Sequence, residues 1–363
     1  MEKIAEIWGR VQRNLFPYLR EELGPLTEGH ERVVLVLEVV RVEAHVRPGW
    51  MRRYGRRPKD RKALARAFVA KMCYNEATTS SFLDRLRADR KLRQICGWQL
   101  ESEIPSESTF SRAFEEFAKM ELADRVHEAL VKKHVAEDVV WHVSRDSTAI
   151  EAREKPVEKE VRERPKRKRG RPKKGEERPA AEPTRLERQY VQTSEGAIAE
   201  LPKACDVGTK IDSRGSKRHW VGYKFHVDVG DGGIPLSAIT TSASVHDSQV
   251  AIPLAKKTAG RVASWYDLMD SAYDADLIHR VSRELGHVPI IEPHQGRRKG
   301  TVWVAPDRAR RYEVRTMSER FNARLKDDCG GRNVRVRGHS KVHAHLMFGL
   351  LVVFSEALLG LVT

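Results

Sequence analysis

Residues 220–245, WVGYKFHVDVGDGGIPLSAITTSASV, decide the fold that the sequence predicts. The part before residue 231 alternates apolar and polar side chains, DGG at 231–233 is a run of turn-forming residues, and the part after it is rich in β-branched residues. Alternation with a period of two predicts a strand, and two such runs around a glycine-containing turn predict an antiparallel pair.

Strand and helix signals alternate on the carboxyl-terminal side of this pair. A helix through about Thr258, capped by Asp247, is followed by the buried strand SWYDLMD, which ends at Asp270, and by the short strand VPIIEP at 288–293. Upstream, VVWHVSRDSTAI at 139–150 also predicts a strand, ending near Asp146. Antiparallel strands followed by strand–helix alternation predict an α/β fold with a mixed sheet flanked by helices.

The amino-terminal third has a different pattern. Residues 1–60 are of uncertain structure, and the β-branched run at 33–46 fits a strand or a helix. Residues 61–136 predict an all-helical region, and one amphipathic helix there presents Arg112 outward. Two helices and a connection suit docking on DNA. Periodicity alone favours an ordinary helical bundle.

Composition indicates a polyanionic partner. The chain has 67 Lys and Arg against 51 Asp and Glu, a net charge of +16. Such a surface favours nucleic acid or an anionic membrane, which composition does not separate. The apolar run at 346–362 carries Glu356 and predicts a buried helix rather than a membrane span. Four scattered cysteines argue against zinc and disulfides, and with no signal peptide visible they favour a cytosolic compartment.

A basic segment interrupts the α/β pattern. Residues 151–189 hold several prolines and few aliphatic side chains, and 164–174 contain eight basic residues and no acidic ones. This composition predicts a disordered or loosely packed insertion. Arg169 and Arg171 lie in an R-G-R-P run that resembles an AT-hook, which enters the minor groove. A solvated basic linker explains it equally well.

Three acidic residues stand out by position. Asp146 and Asp270 lie at predicted strand ends, and Glu319 lies on the predicted helix TMSERFNARLKD. Two Mg²⁺ ions about 4 Å apart need several carboxylate ligands, which two strand-end aspartates and a helical glutamate would supply. Taken singly, each acid is also explained as a turn or cap residue.

A spaced signature makes the pattern more specific. Tyr312, Arg315, Glu319 and Lys326 follow Y-x2-R-x3-E-x6-K. This signature resembles that of DDE transposases from bacterial insertion sequences. Asp146 in DSTAI resembles the first aspartate of that group, and Asp270 in MDSAYDA resembles the second. The resemblance covers roughly residues 60–355.

The resemblance implies an RNase H-like catalytic core, residues 137–363, interrupted by the basic insertion at 151–218. It implies Mg²⁺, with Mn²⁺ as a substitute, held by the three carboxylates. The enzyme would cut at the terminal inverted repeats and join the 3′-OH ends to target DNA. The implied partners are double-stranded DNA and a second copy of the chain, with no membrane, and the location is the cytoplasm at the nucleoid.

The signature also implies DNA contacts. Arg315 and Lys326 would flank the metal and contact phosphates, and Tyr312 would stack or hydrogen-bond at the transposon end. The structural alternative is an i,i+4 ion pair and a solvated lysine. Arg297 and Arg298, in a basic loop after the last strand, fit a DNA-facing loop or a solvated loop equally.

Several nearby residues have simpler explanations. Asp247 is expected to cap its helix, and Asp274 and Glu292 rank below Glu319 as metal ligands. His339, His343 and His345 do not share one helix face, which argues against a metal site.

Two other functions fit the same features. A catalytically inactive, transposase-derived repressor shares the charge and the helical region but does not need the carboxylates. A related nuclease would cut without joining strands. DNA nicking separates the first from the enzyme, and strand transfer separates the second.

Overall fold

The structure, a computed structural model, describes residues 2–46, 59–158, 182–211, 215–293 and 305–362. A six-stranded mixed sheet is built from the carboxyl-terminal two thirds of the chain. Its strands, in chain order, are β1 (Val140–Glu151), β2 (Asp206–Ile211), β3 (Lys217–Gly230), β4 (Ile234–Ser242), β5 (Ser264–Met269) and β6 (Val288–Ile291).

Strand β1 lies at the centre of this sheet. It pairs antiparallel with β3 on one side and parallel with β5 on the other, and β5 pairs parallel with β6. Strand β2 pairs with the first part of β3, and β4 pairs with the second part. Residues 220–245 therefore contain the predicted antiparallel pair, β3 and β4, with Gly232 at a φ of 72° in the turn between them. The predicted mixed sheet is confirmed.

Fifteen α-helices of the described residues surround or precede the sheet. Eight precede it: α1 (Glu2–Arg10), α2 (Phe16–Leu23), α3 (Glu28–Val40), α4 (Arg61–Cys73), α5 (Thr79–Ala88), α6 (Arg90–Cys96), α7 (Glu107–Lys119) and α8 (Leu122–His134). Seven follow β1: α9 (Arg185–Val191), α10 (Ser194–Ala199), α11 (Ser248–Ala259), α12 (Asp276–Glu284), α13 (Pro306–Glu313), α14 (Thr316–Asp328) and α15 (His339–Leu359).

Helices cover both faces of β1. Its side chains alternate between the faces, as in any strand. The Ser144 hydroxyl donates to the carbonyl oxygen of Arg315 at the start of α14, 2.9 Å away. The next residue, Arg145, points to the opposite face, where its guanidinium binds the carboxylate of Asp228, which also accepts from Thr258 of α11. Helices α11 and α14 therefore lie on opposite faces of the sheet.

Helix α15 joins the amino-terminal helices to the sheet. It is long and apolar enough to cross a membrane, but 83% of its most apolar window is buried inside the protein. Its side chains pack in one core with α3, α4, α7, α8 and β4. Glu356 binds Arg32 of α3 and Arg324 of α14. The buried helix predicted from 346–362 is therefore observed, with the charge of Glu356 paired inside the fold. All four cysteines are free and buried.

The structure corrects or resolves three expectations from the sequence. The ambiguous run at 33–46 is mostly helix, because Thr27 and His30 form a capping box that starts α3. Strand β1 continues to Glu151, so Asp146 lies inside the strand and not at its end, because β3 pairs with β1 up to Glu151. The insertion predicted at 151–218 contains α9, α10 and β2.

Tertiary contacts explain the folded part of that insertion. Strand β2 pairs with β3, and the Lys256 ammonium of α11 donates to the carbonyl oxygens of Gln189, Tyr190 and Gln192. Short helices and edge strands of this kind are stabilised by packing rather than by composition. The prediction of a loosely packed segment at 151–189 is therefore wrong for its end, where α9 begins at Arg185.

Candidate active site

Asp146 and Asp270 lie on neighbouring strands at the same level of the sheet. In the parallel pair of β1 and β5, Ser144 lies opposite Leu268. Asp146 and Asp270 each come two residues later, one within β1 and the other directly after β5. Because neighbouring strands are about 5 Å apart, this register places the two aspartates side by side.

Burial and like charge act on both aspartates. Burial first, and then the negative charges of Asp270 and Asp247, raise the pKa of Asp146 to about 6. The pKa of Asp270 is also raised, by burial first and then by the charges of Asp247 and Glu292. Both shifts indicate that the ionised form of each carboxylate is disfavoured in this environment. A bound cation would stabilise the ionised form.

Glu319 is paired with Arg315 and does not join these two aspartates. It lies in the first turn of α14, its side chain is 53% exposed, and its Oε1 accepts a 2.6 Å hydrogen bond from Nη2 of Arg315. Among the residues that the structure describes, no three His, Cys, Asp or Glu side chains lie close enough together to hold a metal ion. The structure therefore brings Asp146 and Asp270 together and leaves Glu319 in an ion pair.

Asn322 takes the position next to Asp146 that was expected for Glu319. Its Nδ2 donates to Oδ2 of Asp146 across 3.0 Å, and the side chain is buried. Asn322 is three residues after Glu319 on α14, so the two side chains leave the helix one turn apart. Sequence reasoning missed Asn322, although its i+3 spacing from a candidate ligand was a usable signal.

Unpartnered polar atoms surround the two aspartates. In the described part of the chain, the Oδ1 of Asn322 and the hydroxyl of Tyr273 are buried and have no hydrogen-bond partner. Burial first, and then the negative charges of Asp247, Asp146 and Asp270, hold the pKa of Tyr273 well above its usual range. Hard oxygen atoms without partners beside two carboxylates suit a divalent cation and its water ligands. The residues present therefore fit such an ion.

A fourth acid, Asp247, also faces this region. Its side chain makes no capping hydrogen bond to α11, so the expected cap is wrong. Instead it accepts from the Ser147 hydroxyl at 2.9 Å and from the Lys224 ammonium at 3.0 Å. Burial favours a raised pKa, but the neighbouring basic groups and these hydrogen bonds hold the pKa of Asp247 below its usual value. The cap prediction failed because tertiary partners compete for the carboxylate.

The Y-x2-R-x3-E-x6-K residues lie on two helices. Tyr312 is on α13, where its hydroxyl donates to Oε2 of Glu292 across 3.1 Å, and burial raises its pKa to about 12. Arg315 precedes α14, with its guanidinium carbon 5.6 Å from the centre of the Tyr312 ring. Burial opposes the charge of Arg315, but Tyr312, Glu319 and the two aspartates outweigh that effect and raise its pKa.

Lys326 lies two turns further along α14. Burial lowers the pKa of Lys326, and the positive charges of Arg332 and Lys210 lower it further. Its charged neighbours therefore include Glu151, the last residue of β1, and Lys210 of β2. Arg315 and Glu319 form an i,i+4 ion pair, which is the structural alternative expected for these two residues of the signature.

The other predicted DNA contacts are only partly described. Arg112 is exposed on α7, as its helical position predicts. Arg169, Arg171, Arg297 and Arg298 lie outside the described residues. Asp274, which ranked below Glu319 as a metal ligand, accepts a hydrogen bond from Nε2 of His279 across 3.1 Å.

Two family models match the chain. One, described as a transposase DDE domain, matches residues 141–354, more than half of the chain. The other, described as a transposase domain (DUF772), matches residues 25–116. No curated protein and no solved structure matches. The first match contains Asp146, Asp270 and Glu319, and the second contains Arg112.

Proposed function

The chain belongs to the transposase DDE domain family and is a DNA transposase of an insertion sequence, and we propose that Asp146, Asp270 and Glu319 carry its reaction. Membership implies an RNase H-like fold for the sheet and its helices. The observation that supports the proposal is the side-by-side placement of Asp146 and Asp270, with the pKa of Asp146 raised to about 6.

Enzymes of this family generally use divalent metal ions. Here Mg²⁺, or Mn²⁺ in its place, would be held by Asp146 and Asp270, with Glu319 as the third carboxylate. When bound, the metal supplies activation of the attacking hydroxyl and stabilisation of the leaving oxygen. The unpartnered Oδ1 of Asn322 supports an ion or an ordered water at this place.

DNA would free Glu319 for this role. Nη2 of Arg315 now binds Oε1 of Glu319, and a phosphate is a competing partner that a guanidinium can bind through two parallel hydrogen bonds. A DNA phosphate on Arg315 would release Glu319. The Glu319 side chain leaves α14 one turn before Asn322, which contacts Asp146. Arg315 then positions the phosphate, Asn322 fixes the Asp146 carboxylate, and Tyr312 orders Glu292 beside Asp270.

The substrate is DNA, and the finer partners are part of the proposal. The enzyme would cut at terminal inverted repeats and join the 3′-OH ends to target DNA. Two ends must be cut together, so a second copy of the chain is expected in the complex. Lys326 and Arg112 would bind neighbouring phosphates, and the protein would work in the cytoplasm at the nucleoid.

The test compares carboxylate variants in nicking of DNA that carries the repeats flanking the gene. Asp146→Asn, Asp270→Asn and Glu319→Gln should each lower Mg²⁺-dependent nicking by more than about 100-fold, because each removes a ligand. Asp274→Asn is the matched acidic control near the site and should retain most activity. Nicking at the wild-type level in all three variants would remove the assignment.

Two further readouts separate the alternatives. A repressor binds the same DNA but never nicks it, with Mg²⁺ or with Mn²⁺. A nuclease nicks but does not join a precut 3′-OH end to a target plasmid. Joined products that depend on Asp146, Asp270 and Glu319 support the transposase reaction.

A further inference from the structure

A basic pocket lies on the same face of β1 as Asp146. It has a volume of about 580 Å³ and lies at the start of β1, β5 and β6, beneath α13. Its polar lining consists of one histidine, one tyrosine, one aspartate and three arginines: His142, Tyr266, Asp307, Arg308, Arg310 and Arg311. The proposed reaction assigns no role to these residues.

Three of these side chains hold one another in place. The rings of His142 and Tyr266 stack with centroids 5.5 Å apart, and the guanidinium carbon of Arg311 lies 4.2 Å from the Tyr266 ring centre. Nη1 of Arg311 also donates to Nε2 of His142 across 3.3 Å. Because the other ring nitrogen of His142 faces Asp231 at 2.9 Å, a neutral imidazole with its proton on Nδ1 satisfies both contacts.

Arg311 is therefore ordered before any ligand arrives. A guanidinium fixed by a ring and a hydrogen bond loses little side-chain freedom on binding, so more of its interaction energy appears as affinity. Planar, fixed donors of this kind suit the oxygens of a phosphate.

The charge of the pocket also favours a phosphate. Within the described ranges, none of Arg308, Arg310 and Arg311 has a carboxylate within 4.0 Å. Arg308 and Arg310 are exposed, and Arg308 donates to the carbonyl oxygen of Pro289. Among the described residues of the lining, three arginines face one acidic residue, Asp307. Such an excess attracts an anion.

The position of the pocket relates it to the catalytic aspartates. His142 and Asp146 are four residues apart on β1, so both point to the α14 face, and their Cα atoms are separated by about 13 Å. One strand of duplex DNA advances about 3.4 Å per nucleotide along the duplex axis, so a duplex lying parallel to β1 advances about four nucleotides over this separation.

We propose that Arg308, Arg310 and Arg311 form a phosphate-binding pocket that holds the DNA backbone about four nucleotides from the cleaved phosphate. Arg311 is its anchor, and Tyr266 and His142 position that anchor. This proposal rests on the proposed function, because it takes DNA as the ligand.

The first test measures binding of a short random-sequence DNA duplex over a range of salt concentrations, without metal. Arg311→Gln should weaken binding about tenfold and reduce the slope of log affinity against log salt by about one, the effect of one lost phosphate contact. Arg311→Lys keeps the charge but loses the fixed planar geometry, and should fall between. Arg283→Gln is the matched control, because Arg283 is exposed on α12, whose Ser282 binds Asp267 on the opposite face of β5.

Variants of Tyr266 separate the positioning of Arg311 from the loss of a positive charge. Tyr266→Phe keeps the ring and should bind as wild type, whereas Tyr266→Leu should weaken binding severalfold with an unchanged salt slope. If Arg311→Gln fails to fold, the exposed pair Arg308→Gln and Arg310→Gln replaces it, with the same expected direction. Wild-type affinity and salt slope in the folded double variant would overturn the pocket.

The second test locates the contact. On duplex DNA that carries the flanking repeats, single phosphates are replaced by neutral methylphosphonates. Wild-type affinity should drop for replacements about four nucleotides from the nick, and Arg311→Gln should be insensitive there. Sensitivity that is unchanged by Arg311→Gln would contradict the assignment. A protein that binds random duplex through Arg311 but never nicks would refute the proposed function and leave the pocket standing.

Discussion

The side-chain amide of Asn322 donates a 3.0 Å hydrogen bond to the carboxylate of Asp146, and this contact joins α14 to the central strand of the sheet. It places the helix that carries Glu319 against β1. The same amide leaves its oxygen without a partner in the described part of the chain. Asn322 therefore links the position of Glu319 to the orientation of the first aspartate.

Replacement of Asn322 tests that link. Asn322→Leu removes the donor to Asp146 at similar volume, and we expect nicking to fall about 10- to 100-fold, the usual effect of losing a residue that orients a metal ligand. The fall should be partly offset by a higher Mg²⁺ concentration. Asp328→Asn, at the exposed end of α14, is the control and should nick as wild type. Full activity in Asn322→Leu would contradict a positioning role.

Replacement of Asp247 tests whether the fourth acid supports the site. Asp247→Asn leaves the Lys224 ammonium, only 14% exposed, without its carboxylate partner. We expect the free energy of unfolding to fall by about 1–3 kcal/mol, measured by denaturant titration. Nicking should also fall, because the Ser147 hydroxyl beside Asp146 loses a charged acceptor. His246→Ala is the neighbouring control, and equal stability of the two variants would argue against the contact.

The raised pKa of Asp146 predicts a pH-dependent stability. The pKa rises from 3.8 to about 6 on folding, so the folded protein binds the extra proton between these values. Stability of the metal-free protein should therefore fall as pH rises from about 4 to 6, by on the order of 3 kcal/mol from this group. Asp146→Asn should remove that loss, and it should unfold at higher temperature than wild type at pH 7 in EDTA.

The same comparison has a clear control. Asp328→Asn should follow the wild-type curve at every pH, because that side chain is exposed. Mg²⁺ should restore stability to wild type above pH 6 and should have little effect on Asp146→Asn. Parallel stability curves for wild type and Asp146→Asn from pH 4 to 7 would refute the linkage.

Glu356 should matter for stability rather than for chemistry. Its carboxylate, 17% exposed, binds Arg32 and Arg324, which are themselves more exposed. Glu356→Gln should lower the free energy of unfolding by about 1–2 kcal/mol, less than for a fully buried pair because solvent screens the arginines. Glu101→Gln, an exposed change, should be neutral. Thermal unfolding of both variants decides the question.

Local patterns in the sequence were enough for the order of strands and helices in the sheet region. Alternation predicted β3, and β-branched or apolar runs predicted β4, β5 and β6. The signature around Glu319 pointed to the correct family because four residue types at fixed offsets are rare by chance. The α9 and β2 elements were missed because their stability comes from Lys256 and from pairing with β3, which are distant in sequence.

By itself, the sequence determined which carboxylates are candidates and that the chain acts on DNA. Only the tertiary structure decided which of them meet: the parallel register of β1 and β5 joins Asp146 to Asp270, while Arg315 retains Glu319 and Asn322 takes the place beside Asp146. The physical reason is that a hydrogen bond or an ion pair depends on distances of a few ångströms between segments far apart in the chain, and spacing along the sequence does not contain those distances.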